Sequence, residues 1–216
     1  MNSNIRKLAA GLTLATLAAC SDAQRSAQFT LDGVEAPPSV CPINPLTFAN
    51  AIAIPDIHEG NGCGVTHAYK ISAVAGVQFE NGATINCETA DTLNTWLERS
   101  VQPAAQAVYG QRVISATVAA SYSCRPRDNV PGAKLSEHGL GDAIDFSAFT
   151  LENGHEINVE RGSSGSSSDQ QFLRRIRQEA CGPFHTVLGP GSDSYHKDHI
   201  HLDMQHDRRN GGPYCR

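Results

Sequence analysis

The chain has 216 residues, with 17 Lys and Arg against 22 Asp and Glu and a formal net charge of −5. That length supports one domain with a substantial core, and no second composition regime suggests another. The acidic balance and the lack of any basic stripe set nucleic acid aside as a partner, and a monomer is expected.

Residues 1–20 pair Arg6-Lys7 with a short apolar run over 8–17, too short for a permanent bilayer span, which reads as a signal peptide. The run ends in Leu17-Ala18-Ala19-Cys20, which resembles a bacterial lipobox. The resemblance implies cleavage before Cys20, a lipid anchor on that cysteine and a periplasmic protein. With Ser21 following, it implies the outer membrane. Residues 21–40, with Pro37-Pro38, read as a flexible tether, and 41–216 as the domain. The six remaining cysteines contain no CxxC pair, and an even number in an exported chain favours disulfides over a thiolate metal site. The pairing stays open; Cys41–Cys63, Cys87–Cys124 and Cys181–Cys215 are the local options.

Residues 41–64 end in Gly60-Asn61-Gly62-Cys63-Gly64 and read as a disulfide-pinned surface loop. From Asn86, an N-cap residue, Ala90, Leu93, Leu97, Val101, Ala104 and Val108 form one helical stripe. Pro103 inside that run predicts a kink or break, and Trp96 is expected in the core. Residues 112–122 read as a strand that delivers Arg125 to a loop mouth. A second strand, 143–149, places Ala143, Asp145 and Ser147 on one face and Ile144, Phe146 and Ala148 on the other. The Ser- and Gly-rich 161–169 reads as a flexible loop and a candidate lid. A helix over 169–181 follows, with Phe172, Leu173, Ile176 and Ala180 inward and Gly182 as its stop. Residues 185–188 and 199–204 complete the strands. The predicted class is α+β, a small antiparallel sheet with flanking helices, stapled by disulfides.

The densest chemistry is His196-Lys197-Asp198-His199-Ile200-His201-Leu202-Asp203, which holds three of the chain's nine histidines. As a strand it turns His199, His201 and Asp203 to one face and Ile200 and Leu202 to a core, with the two imidazoles roughly 6–7 Å apart at Cα. A second stretch, Ser136-Glu137-His138-Gly139-Leu140-Gly141-Asp142-Ala143-Ile144-Asp145, lets a glycine-bearing loop fold His138 and Asp145 towards one point. His138, Asp145 and one histidine of the His199/His201 pair form an N/O donor set of the kind that holds a catalytic zinc on a sheet face.

The pattern Ser136-x-His138-x-x-Gly141-x-Ala143-x-Asp145 with His199-x-His201 resembles the zinc peptidases that group lysostaphin-type enzymes, D-Ala-D-Ala metallopeptidases and hedgehog-like domains. His196-x-x-His199-x-His201 is similar to the penicillin-insensitive murein endopeptidases of that group. Cys87 with Trp96-Leu97, Ser121-Tyr122-Ser123-Cys124-Arg125 and Ala180-Cys181-Gly182-Pro183-Phe184 extend a resemblance to the bacterial extensin-like C-terminal domain family over nearly the whole domain. The resemblance implies that His138, Asp145 and His201 bind zinc and that His199 is the catalytic neighbour. Asp198 stands where several group members carry a glutamate base, so His199 and His196 are also candidates for base or transition-state stabiliser. Arg125 matches a substrate-holding arginine, and Ser136 is expected to orient His138 or its loop. Asp203 is expected to accept a hydrogen bond from a ligand imidazole. His58, His67, His155, His185 and His206 lack partners at ligand spacing and are expected to be structural or solvated. The implied activity is zinc-dependent peptidolysis of peptidoglycan peptides; the alternative is a catalytically inactive, zinc-containing wall-binding module.

Overall fold

A computed structural model describes residues 50–206 and 211–216. The signal segment, Cys20, the tether and Cys41 lie outside the described residues. The chain enters through β1 (Ala51–Ala53) and a pair of two-residue strands, β2 (Ile57–His58) and β3 (Gly64–Val65). It then forms a hairpin of β4 (Ala68–Val74) and β5 (Val77–Asn86). The hairpin's turn signal is Ala75-Gly76 between two apolar, partly alternating runs, and both turn residues take positive φ.

Helix α1 (Cys87–Trp96) starts where Asn86 Oδ1 accepts from Thr89 N at 2.9 Å, a cap of about 1 kcal/mol. Five residues of π-helix, Leu97–Val101, then lead into α2 (Gln102–Tyr109). This wide turn accommodates the predicted break: Pro103 has no N–H to donate, and Gln102 N bonds back to Leu97 O. The stripe Ala90, Leu93, Leu97, Val101 and Ala104 is fully buried, and Trp96 is in the core with Nε1 donating to Ile176 O at 2.9 Å. The helical passage returns the chain to β6 (Val113–Ala120) parallel to β5, which requires such a crossover.

Strands β7 (Ala143–Leu151) and β8 (Glu156–Asn158) follow, then α3 (Val159–Ser163), α4 (Ser167–Ala180), β9 (Thr186–Leu188), β10 (Ile200–Asp203) and β11 (Tyr214–Cys215). Nine of the strands form one sheet in the order β1-β4-β5-β6-β7-β10-β9-β11, with β8 beside β7. The α+β class is as predicted. The sheet is larger than expected and mixed, because β5–β6 and β9–β11 run parallel. The loop predicted over 161–169 is also corrected. Its two ends are helical, with Asn158 and Ser166 as N-caps, so only a three-residue link remains, and no part of it lines the candidate site.

The core lies between one sheet face and α1, α2 and α4, around Trp96, Phe146, Phe149, Phe172 and Phe184. Ile200 and Leu202 enter it from β10, and Ile144 and Phe146 from β7. Pairing skips Ser147 between Phe146 and Ala148, and this bulge reverses the strand's parity. Phe149 and Leu151 therefore join the core while Ala148, expected beside Phe146, does not. Cys63–Cys124 and Cys181–Cys215 are disulfides, and Cys87 is also disulfide-bonded. The first of these pairs replaces the local options Cys41–Cys63 and Cys87–Cys124.

Candidate metal centre

Two adjacent strands position the centre. In the β7–β10 ladder Asp145 and His201 are direct cross-strand partners, so both side chains leave the same face, opposite the core. His138 arrives on a short 3₁₀ turn, Glu137–Leu140, that ends at Gly141 in the left-handed region with φ 70°. A Cβ on Gly141 would lie 2.6 Å from Val65 Cγ1, so the chain can pass here only without a side chain. Backbone bonds fix this turn on three sides: Ser123 N to His138 O at 3.1 Å, Asn86 N to Gly141 O at 2.9 Å and Met204 N to Asp142 O at 2.9 Å. Asn86 Nδ2 also donates to the Asp142 carboxylate, so the residue that caps α1 clamps the His138 turn as well.

His138 Nδ1 lies 2.7 Å from Ser121 O, a carbonyl that can only accept, so Nδ1 carries the proton and Nε2 presents its lone pair. Nε2 is buried without a hydrogen-bond partner, 3.2 Å from Asp145 Oδ2. A lone pair held against a carboxylate in a buried site calls for a cation between them. His201 lies between two carboxylates, with Nδ1 2.8 Å from Asp145 Oδ1 and Nε2 3.0 Å from Asp203 Oδ2. Burial pulls the His201 imidazole down, but Asp145 and then Asp203 outweigh it and push its pKa up to about 10. Burial likewise raises Asp145, and the His201 imidazole outweighs that, holding its carboxyl well below the usual carboxylate range. His138, Asp145 and His201 are all buried, and one donor atom from each lies within 4.8 Å of the other two. The residues fit a metal ion: two imidazole nitrogens and one carboxylate, with Ser121 O and Asp203 behind the imidazoles.

The chain belongs to the extensin-like protein C-terminus family. The family's model matches residues 45–216, which include every residue of the centre. No curated protein and no solved structure is detectably similar to the chain.

In this extensin-like domain the centre opens into a cavity of about 630 Å³, lined by Arg125, His196, His199, Tyr195 and Tyr214 among others. His199 Nε2 lies 3.6 Å from Asp145 Oδ2, and its Nδ1 bonds Asp198 Oδ1 at 2.8 Å. Asp198 is itself exposed and does not line the cavity, so the structure places it behind His199. His196 stands next to His199, which precedes β10, and to His201 on it, its ring centroid 5.2 Å from that of His199 and 5.5 Å from that of His201. The His138 ring itself is oriented by Ser121 O, whereas Ser136 holds the His138 loop through its backbone, with N donating to Arg125 O and O accepting from Gly139 N. Two features went unread in the sequence: Asp193, which bonds His196, and Arg127, paired to Glu137 at 2.8 Å beside the His138 turn. Asp193 stands three residues before His196 in a Gly-Ser-Asp-Ser turn, a spacing at which an Asp side chain bonds nearby backbone N–H groups. Of the histidines expected to be structural or solvated, His155 bonds Asp169, His185 bonds Gln205 O and His206 pairs with Glu88, all outside the centre.

Proposed function

We propose that this domain is a zinc-dependent peptidase that cleaves peptidoglycan peptides, cross-links or stems, with D-amino-acid-containing peptide as the preferred substrate. The observation that carries the reading is the buried, unpartnered Nε2 of His138, which converges with Asp145 and His201 at the floor of an open cavity. Three N/O ligands suit a zinc site that keeps a position for water or substrate, whereas oxidised cysteines rule out thiolate ligation by those residues. Zinc bound there supplies polarisation of a scissile carbonyl and a water pKa lowered towards about 7. His199, whose Nδ1–H is committed to Asp198, offers Nε2 as the acceptor of the water's proton. Arg125 at the cavity wall is suited to hold a substrate carboxylate or the developing oxyanion. The peptide substrate rests on the resemblance to lysostaphin-type and D-Ala-D-Ala enzymes. The lipobox-like segment supports a periplasmic location for the enzyme, with lipid on Cys20 as its anchor.

One observation favours the second reading, a zinc-containing wall-binding module without catalysis: Asp198, at the position of the group's glutamate, is exposed and does not line the cavity. Incubation of the purified protein with sacculi and muropeptides, followed by mass spectrometry, separates the two. Chelator-sensitive cleavage of a defined peptide bond is expected. Wall binding with no cleavage of any muropeptide would replace the peptidase reading with the binding module.

A further inference from the structure

The loop between β9 and β10 carries a second carboxylate–imidazole pair besides Asp198–His199. Asp193 Oδ1 lies 2.7 Å from His196 Nδ1, and Oδ2 lies 2.9 Å from the same nitrogen. Oδ1 also accepts from Tyr195 N at 2.8 Å and from His196 N at 3.1 Å. One carboxylate thus gathers three N–H groups, two of them backbone, which fixes its direction relative to the chain. The loop start is fixed too: Ser192 Oγ donates to Gly189 O at 2.7 Å, and Arg177 Nη1 donates to Pro190 O at 2.8 Å. A Cβ on Gly189 would lie 3.1 Å from Arg177, so the packing here is close.

An ionised carboxylate only accepts, so the nitrogen facing Asp193 must carry the proton. The other nitrogen, Nε2, belongs to a residue that is 12% exposed and lines the cavity beside His199 and His201. We propose that Asp193 is a positioning residue of this centre: it locks His196 in the Nδ1–H tautomer, so that Nε2 is held as a hydrogen-bond acceptor towards the cavity. The pair is matched by Asp198–His199, and two imidazoles of the same tautomer then flank the metal ligands. What His196 does for turnover rests on the peptidase reading; the tautomer does not.

The test uses the full chain loaded with zinc and labelled with ¹⁵N-histidine, at a pH well above 6.5, where ordinary imidazole is neutral. Long-range ¹H–¹⁵N spectra should show His196 as the Nδ1–H tautomer. Asp193→Ala should move it towards Nε2–H, and Asp193→Asn, which keeps an oxygen at the Oδ1 position but sets an NH₂ near Nδ1 in place of Oδ2, should retain more Nδ1–H than Asp193→Ala and less than wild type. Zinc content should be equal in all three proteins. On a cleaved muropeptide, kcat should fall on the order of 10-fold in Asp193→Ala with KM nearly unchanged, and recover in part in Asp193→Asn. An Nε2–H tautomer in the wild type, or an unaltered tautomer in Asp193→Ala, overturns the proposal. So does loss of zinc in a folded Asp193→Ala protein, which would make His196 a metal donor. Should Asp193→Ala fail to fold, the wild-type tautomer decides alone. Absence of turnover in the wild type would refute the peptidase reading and leave the tautomer result standing.

Discussion

Asp203→Asn is the substitution that most sharply separates a built metal centre from an incidental cluster. The two oxygens of Asp203 have different donors: Oδ2 faces His201 Nε2 at 3.0 Å, and Oδ1 accepts from Gln205 N at 3.0 Å. Thr186 donates to the same carboxylate. An amide has one oxygen and one NH₂, so whichever way Asn is turned, one donor meets another donor. If the oxygen stays with Gln205, the NH₂ faces His201 and favours a lone pair on Nε2. The proton then sits on Nδ1, the nitrogen aimed at Asp145 and at the metal position. Losing such an outer partner costs about 10–100-fold in metal affinity, or roughly 1.4–2.7 kcal/mol. Because the amide forces a wrong tautomer as well as removing charge, the upper part of that range is expected. Competition with a zinc-binding dye gives the affinity, and melting with and without zinc checks it, since a ligand at a hundred times its Kd adds about 2.7 kcal/mol to the folded state. Zinc affinity within about threefold of wild type in folded Asp203→Asn would refute the assignment of His201 Nδ1 as ligand and Asp203 as its partner.

His138→Ala and His201→Ala should each lose the roughly one zinc per chain expected of the wild type, measured by atomic emission after desalting; full retention in both would remove the ligand assignment. Gly141→Ala should destabilise by about 3 kcal/mol, combining the left-handed backbone with overpacking against Val65, which corresponds to a melting temperature lower by roughly 6–12 °C. Asp142 is a different case, a carboxyl raised to about 6, first by burial and then by Glu137, against the favourable bond from Asn86. A raised carboxyl holds its proton longer in the folded state than in the unfolded one, so stability from this group falls as pH rises from about 4 to about 6. Asp142→Asn can still accept from Asn86 and should be more stable than wild type at pH 7 by about 1–2 kcal/mol, a gain that vanishes near pH 4. Denaturant titrations at both values measure it, and an equal difference at the two would show that Asp142 ionises normally.

How far the centre was legible in advance depended on which interaction positions each residue. Strand parity alone separated Ile200 and Leu202 from His201 and Asp203, because one face of a half-buried strand must be apolar whatever its neighbours are. The same rule held for Ile144, Asp145 and Phe146 and failed one residue later. The bulge at Ser147 is a property of how β7 pairs with β6, and no local pattern encodes it. The N-cap at Asn86 could be read from the helix it begins, but its second task could not. Its Nδ2 reaches Asp142 across 56 positions, and only the folded β5–α1 junction brings the His138 turn beside it. Ser121 is a stronger instance, because the group that orients His138 is a backbone carbonyl, which any residue type supplies. Sequence therefore identified the donors by their chemistry and Asp203, two residues on along β10, by strand parity, while the Ser121 carbonyl behind His138 is a product of the fold; these tautomer-setting groups stand behind the donors rather than among them. For this reason the positions behind the imidazoles, Asp193 and Asp203 above all, are where substitution should change the centre's chemistry without removing any metal ligand.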